Sequence, residues 1–395
     1  MDKDNNSTLQ QLDYTLLFII FLFLCISLVS IYSAPIPGYL GNLVLKQFVW
    51  YVLGGIAIAL IMLVDFDRFR HIAWYLYGFG ALLLFIMFLG NPSIGILPSC
   101  DDGCFIVTNN GATSWFNIPK FGTLQPSEFM KIFLIVLLGH VTMKHHETHL
   151  EKTIQDDMIL LGKIVGFSII PIGLVAVQPD LGTAAILAAI MLSLLLISGI
   201  RWRILLTVAL ICILILGINI MLYVYFPEHA LIKDYQMNRI YSWLYPYEDP
   251  SSGDAYQLLQ SMNAIGSGQL YGVGFQDGGV YVPYSWTDFI FALIAMQFGF
   301  LGASLVISLY FLLIYRIIHA ALETHDRFGS FLCAGVIGMF TFQIFQNIGM
   351  TIQVLPITGI PLPFISYGGS SLLTCMIAVG IVLNVHSRRR TYMFE

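Results

Sequence analysis

The polar stretch that ends in Val282–Phe291 places a carboxylate, Asp288, directly before a long apolar run. The polar segment begins near Arg239 and interrupts a chain that is otherwise largely apolar. An ionisable group at the edge of a membrane span is costly, so it indicates a functional site by default. Asp288 either satisfies free amides at a helix N-terminus or acts as a general base in a partly dry cleft, where desolvation raises its pKa.

Three further groups have side chains suited to binding a charged substrate. Glu128 and Lys131 share one helix face, and Pro126 suits the first turn of that helix. They form either a structural acid–Lys pair or a site where Lys131 binds phosphate while Glu128 orients it or titrates. Asp180, between two apolar runs, is either a helix cap or a further functional carboxylate. Arg239 either anchors to lipid headgroups or binds pyrophosphate through its planar guanidinium.

Two other stretches have distinctive compositions. Gly359–Ser371 is interrupted by prolines and then rich in small residues, and its Ser366 is a candidate substrate-binding residue. That pattern indicates a broken helix followed by close helix packing, and non-helical backbone in a membrane must be buried in protein or line a cavity. Cys100 and Cys104 lie in a polar loop, where they either form a small disulfide or remain free, and two Cys alone are a poor zinc site.

The composition predicts an all-α polytopic membrane protein. Of the 395 residues, 57% are hydrophobic and 10% charged, whereas soluble domains carry about 25% charged residues. At roughly 20 residues per span, the apolar runs give about ten helices in a single membrane domain over 1–395. The runs lie near 14–34, 47–64, 72–90, 129–143, 159–177, 181–199, 203–226, 288–318, 330–351 and 364–385.

Lys and Arg predict the orientation of the chain, because cytoplasmic loops carry more of them. With a cytoplasmic N-terminus, the outer loops carry few basic residues, both termini are cytoplasmic, and the segments at about 91–128 and 227–287 are the large outer loops. The inner basic residues are then Lys3, Arg68, Arg70, Lys144, Lys152, Lys163, Arg201, Arg203, Arg316, Arg327 and Arg388 to Arg390. All the candidate polar clusters map to outer helix ends, which predicts a substrate handled at the outer leaflet. The sequence lacks a Walker loop and a dinucleotide fingerprint, which argues against a directly nucleotide-driven pump.

Several motifs resemble those of the SEDS (shape, elongation, division and sporulation) family, in order and over nearly the whole chain. The matching blocks are Asn110–Ala112, Gln125–Glu128 with Lys131, Gln178–Gly182, Ala264–Gly268, Thr287–Phe291 and Leu362–Ser370. The stretches Gln346–Met350 and Leu355–Gly359 look more like the RodA, cell-elongation branch than the division branch.

The resemblance implies a ten-helix bacterial plasma-membrane enzyme, a peptidoglycan glycosyltransferase that polymerises lipid II at the outer leaflet during cell elongation. Its essential acid matches Asp288, its cavity acids Glu128 and Asp180, its cavity Lys Lys131 and its loop Arg Arg239. The pyrophosphate leaving group needs positive charge from Lys, Arg or a divalent cation such as Mg²⁺ or Mn²⁺. The implied partners are a class B penicillin-binding transpeptidase, the elongation complex and membrane lipid, with no nucleic acid.

The sequence departs from the family around the catalytic motif. Tyr284 and Trp286 replace a Glu and a His before the Asp, Met296 and Gln297 replace a Glu pair after it, and Ser114 replaces an Arg. Lost acids should lower the pKa of Asp288, and a drier aromatic wall should raise it. Two alternatives to the enzyme therefore stay open: a transporter that flips lipid II between leaflets, and a catalytically weak scaffold for the transpeptidase.

Overall fold

The structure is a computed structural model, and it describes residues 12–34, 40–91, 96–100, 105–109, 112–118, 122–149, 153–225, 234–251, 253–276 and 279–388. Within these ranges it is mostly helical. The helices are α1 (Tyr14–Ser33), α2 (Leu40–Leu63), α3 (Phe66–Leu89), α4 (Pro126–Thr148), α5 (Ile154–Val177), α6 (Leu181–Ile197), α7 (Trp202–Tyr225), α8 (Asp234–Leu244), α9 (Gly253–Gly268), α10 (Ile290–Glu323), α11 (Arg327–Thr351) and α12 (Gly369–Ser387).

The predicted set of about ten spans is confirmed. Nine of the described helices are long and apolar enough to cross a membrane, and α6 is a shorter apolar helix of 17 residues. The fourth span is longer than the predicted 129–143, because α4 begins at Pro126 and continues to Thr148. The chain is therefore an integral membrane protein with an all-α membrane domain.

The spans differ in how far they are enclosed by the others. Of the most apolar 18-residue stretch of each helix, 83% of the residues are buried in α4 and 78% in α12, whereas none are buried in α7. Helix α4 thus lies at the centre of the bundle and α7 at its periphery. Because lipid tails cannot satisfy polar side chains, a central helix is where charged groups can be tolerated. Helix α4 carries the two charges of the Glu128–Lys131 pair.

The segment between α3 and α4, expected to be an outer loop, contains a small sheet. Its strands pair in the order β1 (Ser99–Cys100), β2 (Ile106–Asn109), β3 (Ala112–Ile118) and β4 (Gly122–Leu124). β1 and β2 are parallel, and the other two pairs are antiparallel. Ile106 and Phe116 pack with Met87 of α3 and so attach the sheet to the bundle. Cys104 and the side chain of Cys100 lie outside the described residues, so the disulfide stays a prediction.

The polar segment before Asp288 also folds, into α8 and α9. A second hydrophobic cluster, separate from the membrane core, joins Leu258 of α9 to Val282 and Phe289. Trp243 of α8 and Gln353, in the loop after α11, each donate a side-chain hydrogen bond to the other's carbonyl, at 2.9 and 3.1 Å. These contacts hold α8 and α9 over the end of the bundle where α10 begins.

Helix α10 contains a sharp bend at Gly299. Its 34 residues would extend about 51 Å as a straight helix, well beyond a hydrocarbon layer of about 30 Å. Gly299 has φ 64° and ψ −161°, which is not helical. A Cβ at Gly302 would lie 3.8 Å from Cγ2 of Ile294, whereas eight residues of straight helix rise about 12 Å. Residues 290–298 therefore fold back against the long segment that follows.

Glycines allow the end of α9 to pack directly on this bend. A Cβ at Gly268 would lie 2.1 Å from the carbonyl oxygen of Ala295, and one at Gly272 would lie 2.0 Å from that of Gln297. The backbone amide of Phe300 donates to the carbonyl of Gln269 at 2.8 Å. The two backbones are thus too close for a side chain at either glycine. The position of residues 290–298 therefore depends on these glycines.

We predict that Gly268→Ala lowers the free energy of unfolding by about 1–3 kcal/mol, because the added methyl forces α9 away from α10. The measurement is the apparent melting temperature of the detergent-solubilised protein. Gly266→Ala is the matched control: it lies on the same helix, and a Cβ there meets nothing within 4 Å. Equal melting temperatures for the two variants would contradict the prediction.

Candidate functional site

Two adjoining cavities lie where α4, α6, α8 and α10 begin. The larger, of 1010 Å³, is lined by Asp288 and Arg239 among other polar and aromatic residues. The smaller, of 150 Å³, is lined by Glu128 and Asp180. The two share the wall residues Trp115, Gln125, Pro179, Gly359 and Pro361. Four of the candidates named from the sequence therefore face one continuous region.

A tight turn over 284–289 presents Asp288 to the larger cavity. Tyr284 has a left-handed backbone with φ 53°, and its carbonyl accepts hydrogen bonds from the amides of Thr287 and Phe289 at 3.1 and 3.3 Å. Helix α10 begins only at Ile290, after the cap residue Phe289. Asp288 therefore lies one residue before the N-cap of this helix, which has no side-chain cap.

Three donors from elsewhere in the chain fix this turn. The Ser366 hydroxyl donates to the Thr287 carbonyl at 2.6 Å, and the Tyr367 amide donates to the Trp286 carbonyl at 2.9 Å. The buried Asn347 of α11 donates to the Asp288 carbonyl at 2.8 Å and to that of Ile360 at 2.7 Å. Ser366 thus positions the turn through its hydroxyl, and direct substrate binding by Ser366 stays a prediction.

The backbone around Ser366 is itself held by the membrane helices. The four consecutive carbonyls of Pro363 to Ser366 each accept a hydrogen bond from a side chain of a span. The donors, in that order, are Tyr310 at 2.5 Å, Tyr51 at 2.7 Å, Ser27 at 2.8 Å and Gln47 at 3.2 Å. Non-helical backbone in a bilayer must find such partners inside the protein, as was expected for Gly359–Ser371.

The electrostatics of the cavity favour a protonatable Asp288. Removal from water raises the pKa of Asp288 from its usual value to about 6, against the lowering effect of Arg239 and with a smaller raising effect from Asp180. Burial also raises the pKa of Asp180, although the bond from the Thr183 amide opposes that change. A carboxyl group with a pKa near 6 is well placed for proton transfer close to neutral pH.

Arg239 reaches the same cavity from α8. Tyr235, Asn238 and Arg239, spaced three and four residues apart, form one helix face and all line the larger cavity. The Arg239 guanidinium lies 3.9 Å from the carboxylate of Asp254 on α9. Asp254 was not predicted from the sequence, because its pairing with Arg239 depends on how α8 and α9 pack.

Glu128 and Lys131 form an ion pair of 2.7 Å, with both side chains almost fully buried. Glu128 lines the smaller cavity, whereas the fully buried Lys131 does not. Asp180 caps α6 through the Thr183 amide at 3.0 Å, and it also accepts a bond of 2.9 Å from Gln125, a residue that the sequence analysis named only as part of a motif. Asp180 is therefore both a cap and a cavity acid, and phosphate binding by Lys131 stays a prediction.

Four of the departures from the family pattern fall in two environments, and the fifth, Ser114, lines the smaller cavity. Tyr284 and Trp286 line the larger cavity beside Asp288. Met296 and Gln297 are buried near the Gly299 bend, where Gln297 donates to the Ser33 carbonyl at 3.4 Å. The first pair thus changes the wall of the site, whereas the second pair changes only how α10 packs on its neighbours.

A divalent cation remains an expectation. Among the residues the structure describes, no group of three or more His, Cys, Asp and Glu side chains could hold a metal ion. Mg²⁺ is commonly bound by one or two carboxylates together with substrate phosphates and waters. Asp288 and Asp180 could contribute such oxygens only if a bound pyrophosphate completed the set.

We predict that Lys131→Met lowers the apparent melting temperature strongly, because it leaves the Glu128 carboxylate buried without its counter-charge, a loss of about 3–5 kcal/mol. The double variant Glu128→Gln, Lys131→Met removes both charges and should recover much of this loss. Thermal unfolding of the two variants in the same detergent measures the difference. A double variant no more stable than Lys131→Met would contradict the proposed cause.

Comparison with known proteins gives relatives across the whole chain. Stage V sporulation protein E of Bacillus subtilis (strain 168) is 32% identical over 382 residues, covering 94% of this chain and 96% of that protein. Peptidoglycan glycosyltransferase RodA of Treponema pallidum (strain Nichols) is 29% identical over 452 residues, covering 95% and 98%. Peptidoglycan glycosyltransferase MrdB of Escherichia coli (strain K12) is 33% identical over 293 residues, covering 72% and 74%.

Solved structures share the fold. One chain, from the structure described as "Structural coordination of polymerization and crosslinking by a peptidoglycan synthase complex", matches with a TM-score of 0.76 and 28% identity, covering 96% of this chain and 99% of that one. The crystal structure of the rod shape determining protein RodA of Thermus thermophilus matches with a TM-score of 0.66 and 24% identity, covering 96% and 97%. The second likeness concerns the fold alone.

The family model for FtsW, RodA and SpoVE, described as a cell cycle protein, matches residues 9–391. This match includes every helix of the bundle and both cavities. It also includes the turn that carries Asp288 and the stretch that holds it. The resemblance seen in the sequence motifs is thus confirmed, and the chain belongs to the SEDS (FtsW/RodA/SpoVE) family.

Proposed function

We propose that this protein is a peptidoglycan glycosyltransferase that polymerises lipid II, with Asp288 as its general base. The observation that carries the proposal is a carboxylate with a pKa of about 6 in the wall of a 1010 Å³ cavity that also contains Arg239. Relatives over most of the chain are named peptidoglycan glycosyltransferases. A cavity of this volume is large enough for the sugar and pyrophosphate groups of such a substrate.

The chemistry requires one proton acceptor. The 4-hydroxyl oxygen of the acceptor sugar attacks the anomeric carbon of the donor, the bond from that carbon to the pyrophosphate oxygen breaks, and the hydroxyl proton passes to Asp288. A base whose pKa lies slightly below the working pH is ionised and still accepts a proton readily. The reaction inverts the anomeric carbon and forms no covalent sugar–enzyme intermediate, so a single carboxylate is sufficient.

The leaving pyrophosphate gains negative charge as the bond breaks. Arg239 faces the same cavity as Asp288 and offers planar donors that match phosphate oxygens. Its ion pair with Asp254 is loose, at 3.9 Å, so that an incoming phosphate can compete for the guanidinium. A divalent cation carried with the pyrophosphate would add further positive charge there.

We further propose that the protein acts in cell elongation, at the outer leaflet of the bacterial plasma membrane. Its proposed partner is a class B penicillin-binding transpeptidase. The RodA-like stretches Gln346–Met350 and Leu355–Gly359 support elongation. The distribution of Lys and Arg supports an outward-facing site. The similarity to a chain of a peptidoglycan synthase complex supports a crosslinking partner.

Depletion of the protein in a rod-shaped cell should give round cells, and filaments would instead indicate a division role.

We predict that Asp288→Asn abolishes lipid II polymerisation, with a loss of about 100-fold or more, because the amide cannot accept the proton. The measurement is polymer formation by the purified protein, alone and with its transpeptidase, in a gel that separates glycan strands. Glu147→Gln, near the C-terminal end of α4 and away from the cavities, is the control for a lost exposed carboxylate. Polymer from Asp288→Asn at the wild-type rate would exclude Asp288 as the base, and no polymer from the wild type with its partner would exclude the enzyme.

We predict that the polymerisation rate falls as the pH drops through about 6, because protonation removes the base. Arg239 lowers the pKa of Asp288, so Arg239→Gln should move this inflection to a higher pH as well as slow the reaction. Arg203→Gln, at the other end of the bundle, controls for the lost charge and should leave the inflection unchanged. An inflection unchanged in Arg239→Gln would contradict the coupling between the two groups.

A further inference from the structure

The larger cavity continues past the Arg239–Asp254 pair into a second cleft of 390 Å³ between α8 and α9. Asn238 and Asp254 line both spaces, so the two are contiguous. The mechanism described above uses no residue of this second cleft beyond those two. This cleft lies on the far side of the Arg239–Asp254 pair from Asp288. It is therefore a candidate for binding a part of the substrate that does not react.

The lining of the cleft combines aromatic rings with polar groups. The rings of Tyr241 and Tyr245 are 5.3 Å apart between centroids, at an interplanar angle of 44°. The hydroxyl of Tyr241 donates to Glu248, which fixes the orientation of that ring. Ser242 and Asp249 add a hydroxyl and a carboxylate to the same lining.

This set of side chains selects among the parts of a lipid-linked glycan. A polyprenyl chain would leave the carboxylates of Asp249 and Asp254 desolvated, which is unfavourable. A pyrophosphate would be repelled by the same two acids. A sugar ring has apolar C–H faces that pack on aromatic rings and hydroxyl edges that donate to carboxylates, so it fits both features of the lining.

We propose that the cleft between α8 and α9 binds sugars of the growing glycan strand, with Tyr241 and Tyr245 as the contact surface for the sugar faces. The proposal rests on the proposed function and deepens it. Each cycle lengthens the strand by one disaccharide. A strand whose already polymerised sugars are bound in the cleft stays on the protein between cycles. The cleft therefore acts on the number of additions per strand, whereas Asp288 acts on each single addition.

The test compares the amount of the first coupling product with the amount of long glycan strands. Both are made by the complex of this protein with its transpeptidase. We expect Tyr245→Ala to lower the ratio of long strands to the first coupling product, lipid IV, about fivefold, which corresponds to about 1 kcal/mol of strand binding. Tyr247→Ala is the matched control: Tyr247 is 72% exposed, lies two residues away and does not line the cleft. Tyr245→Trp keeps an aromatic face and should keep long strands.

Four outcomes separate the interpretations. Short strands from Tyr245→Ala, with long strands from both Tyr247→Ala and Tyr245→Trp, support the cleft as a sugar site. An unchanged length distribution in both Tyr245→Ala and Tyr241→Ala overturns it. Loss of the transpeptidase from the purified complex in Tyr245→Ala also overturns it, because the cleft would then be a protein contact. Absence of lipid IV from the wild type would instead overturn the proposed function itself.

Discussion

The site depends on satisfying the backbone of a chain segment that is not helical. Four consecutive carbonyls, Pro363 to Ser366, accept hydrogen bonds from Tyr310, Tyr51, Ser27 and Gln47. In hydrocarbon an unsatisfied carbonyl costs several kcal/mol, so a segment of this shape is stable only where the spans supply donors. These donors come from three different helices, α10, α2 and α1. The packing of those helices is thereby tied to the shape of the cavity wall.

The same segment also fixes the turn that carries Asp288. Ser366 accepts the Leu362 amide at 2.8 Å and donates to the Thr287 carbonyl, so one hydroxyl joins the two irregular stretches. Asn347 makes a second link between them. The backbone of Asp288 is therefore held by these contacts, while its carboxylate lines the cavity beside Arg239. Such an arrangement suits a base that must change protonation state without losing its position.

Much of this organisation could be predicted from the sequence, because apolar runs of the length of a bilayer are a strong signal. The distribution of polar groups at helix ends also indicated which residues face one cavity, among them Asp180 and Arg239. The four-stranded sheet was missed because its strands are at most seven residues long and lie in a polar loop. The bend at Gly299 was missed because the run from 288 to 318 is largely apolar, and periodicity does not register a single reversed dihedral angle.

The roles of individual polar residues were harder to predict than their locations. Ser366 was predicted to bind substrate, and its hydroxyl also donates to the carbonyl of Thr287, 79 positions away in the chain, a contact that no sequence pattern indicated. Asp254 gave no signal, since its pairing with Arg239 exists only once α8 packs on α9. Contacts of this kind depend on tertiary packing, whereas helix propensity and hydropathy depend on neighbours in sequence.

Asn347 has a consequence for how the outer segments can vary. Its amide fixes the carbonyl of Asp288 from α11, a transmembrane helix, and not from the outer loops. The depth of the carboxylate in the bilayer is then a property of the bundle. The outer segments also bear on this position, because the glycines at the end of α9 set where residues 290–298 lie. Changes in the outer segments can therefore reshape the cavity around Asp288 while the Asn347 contact is kept, provided that α9 still packs on α10.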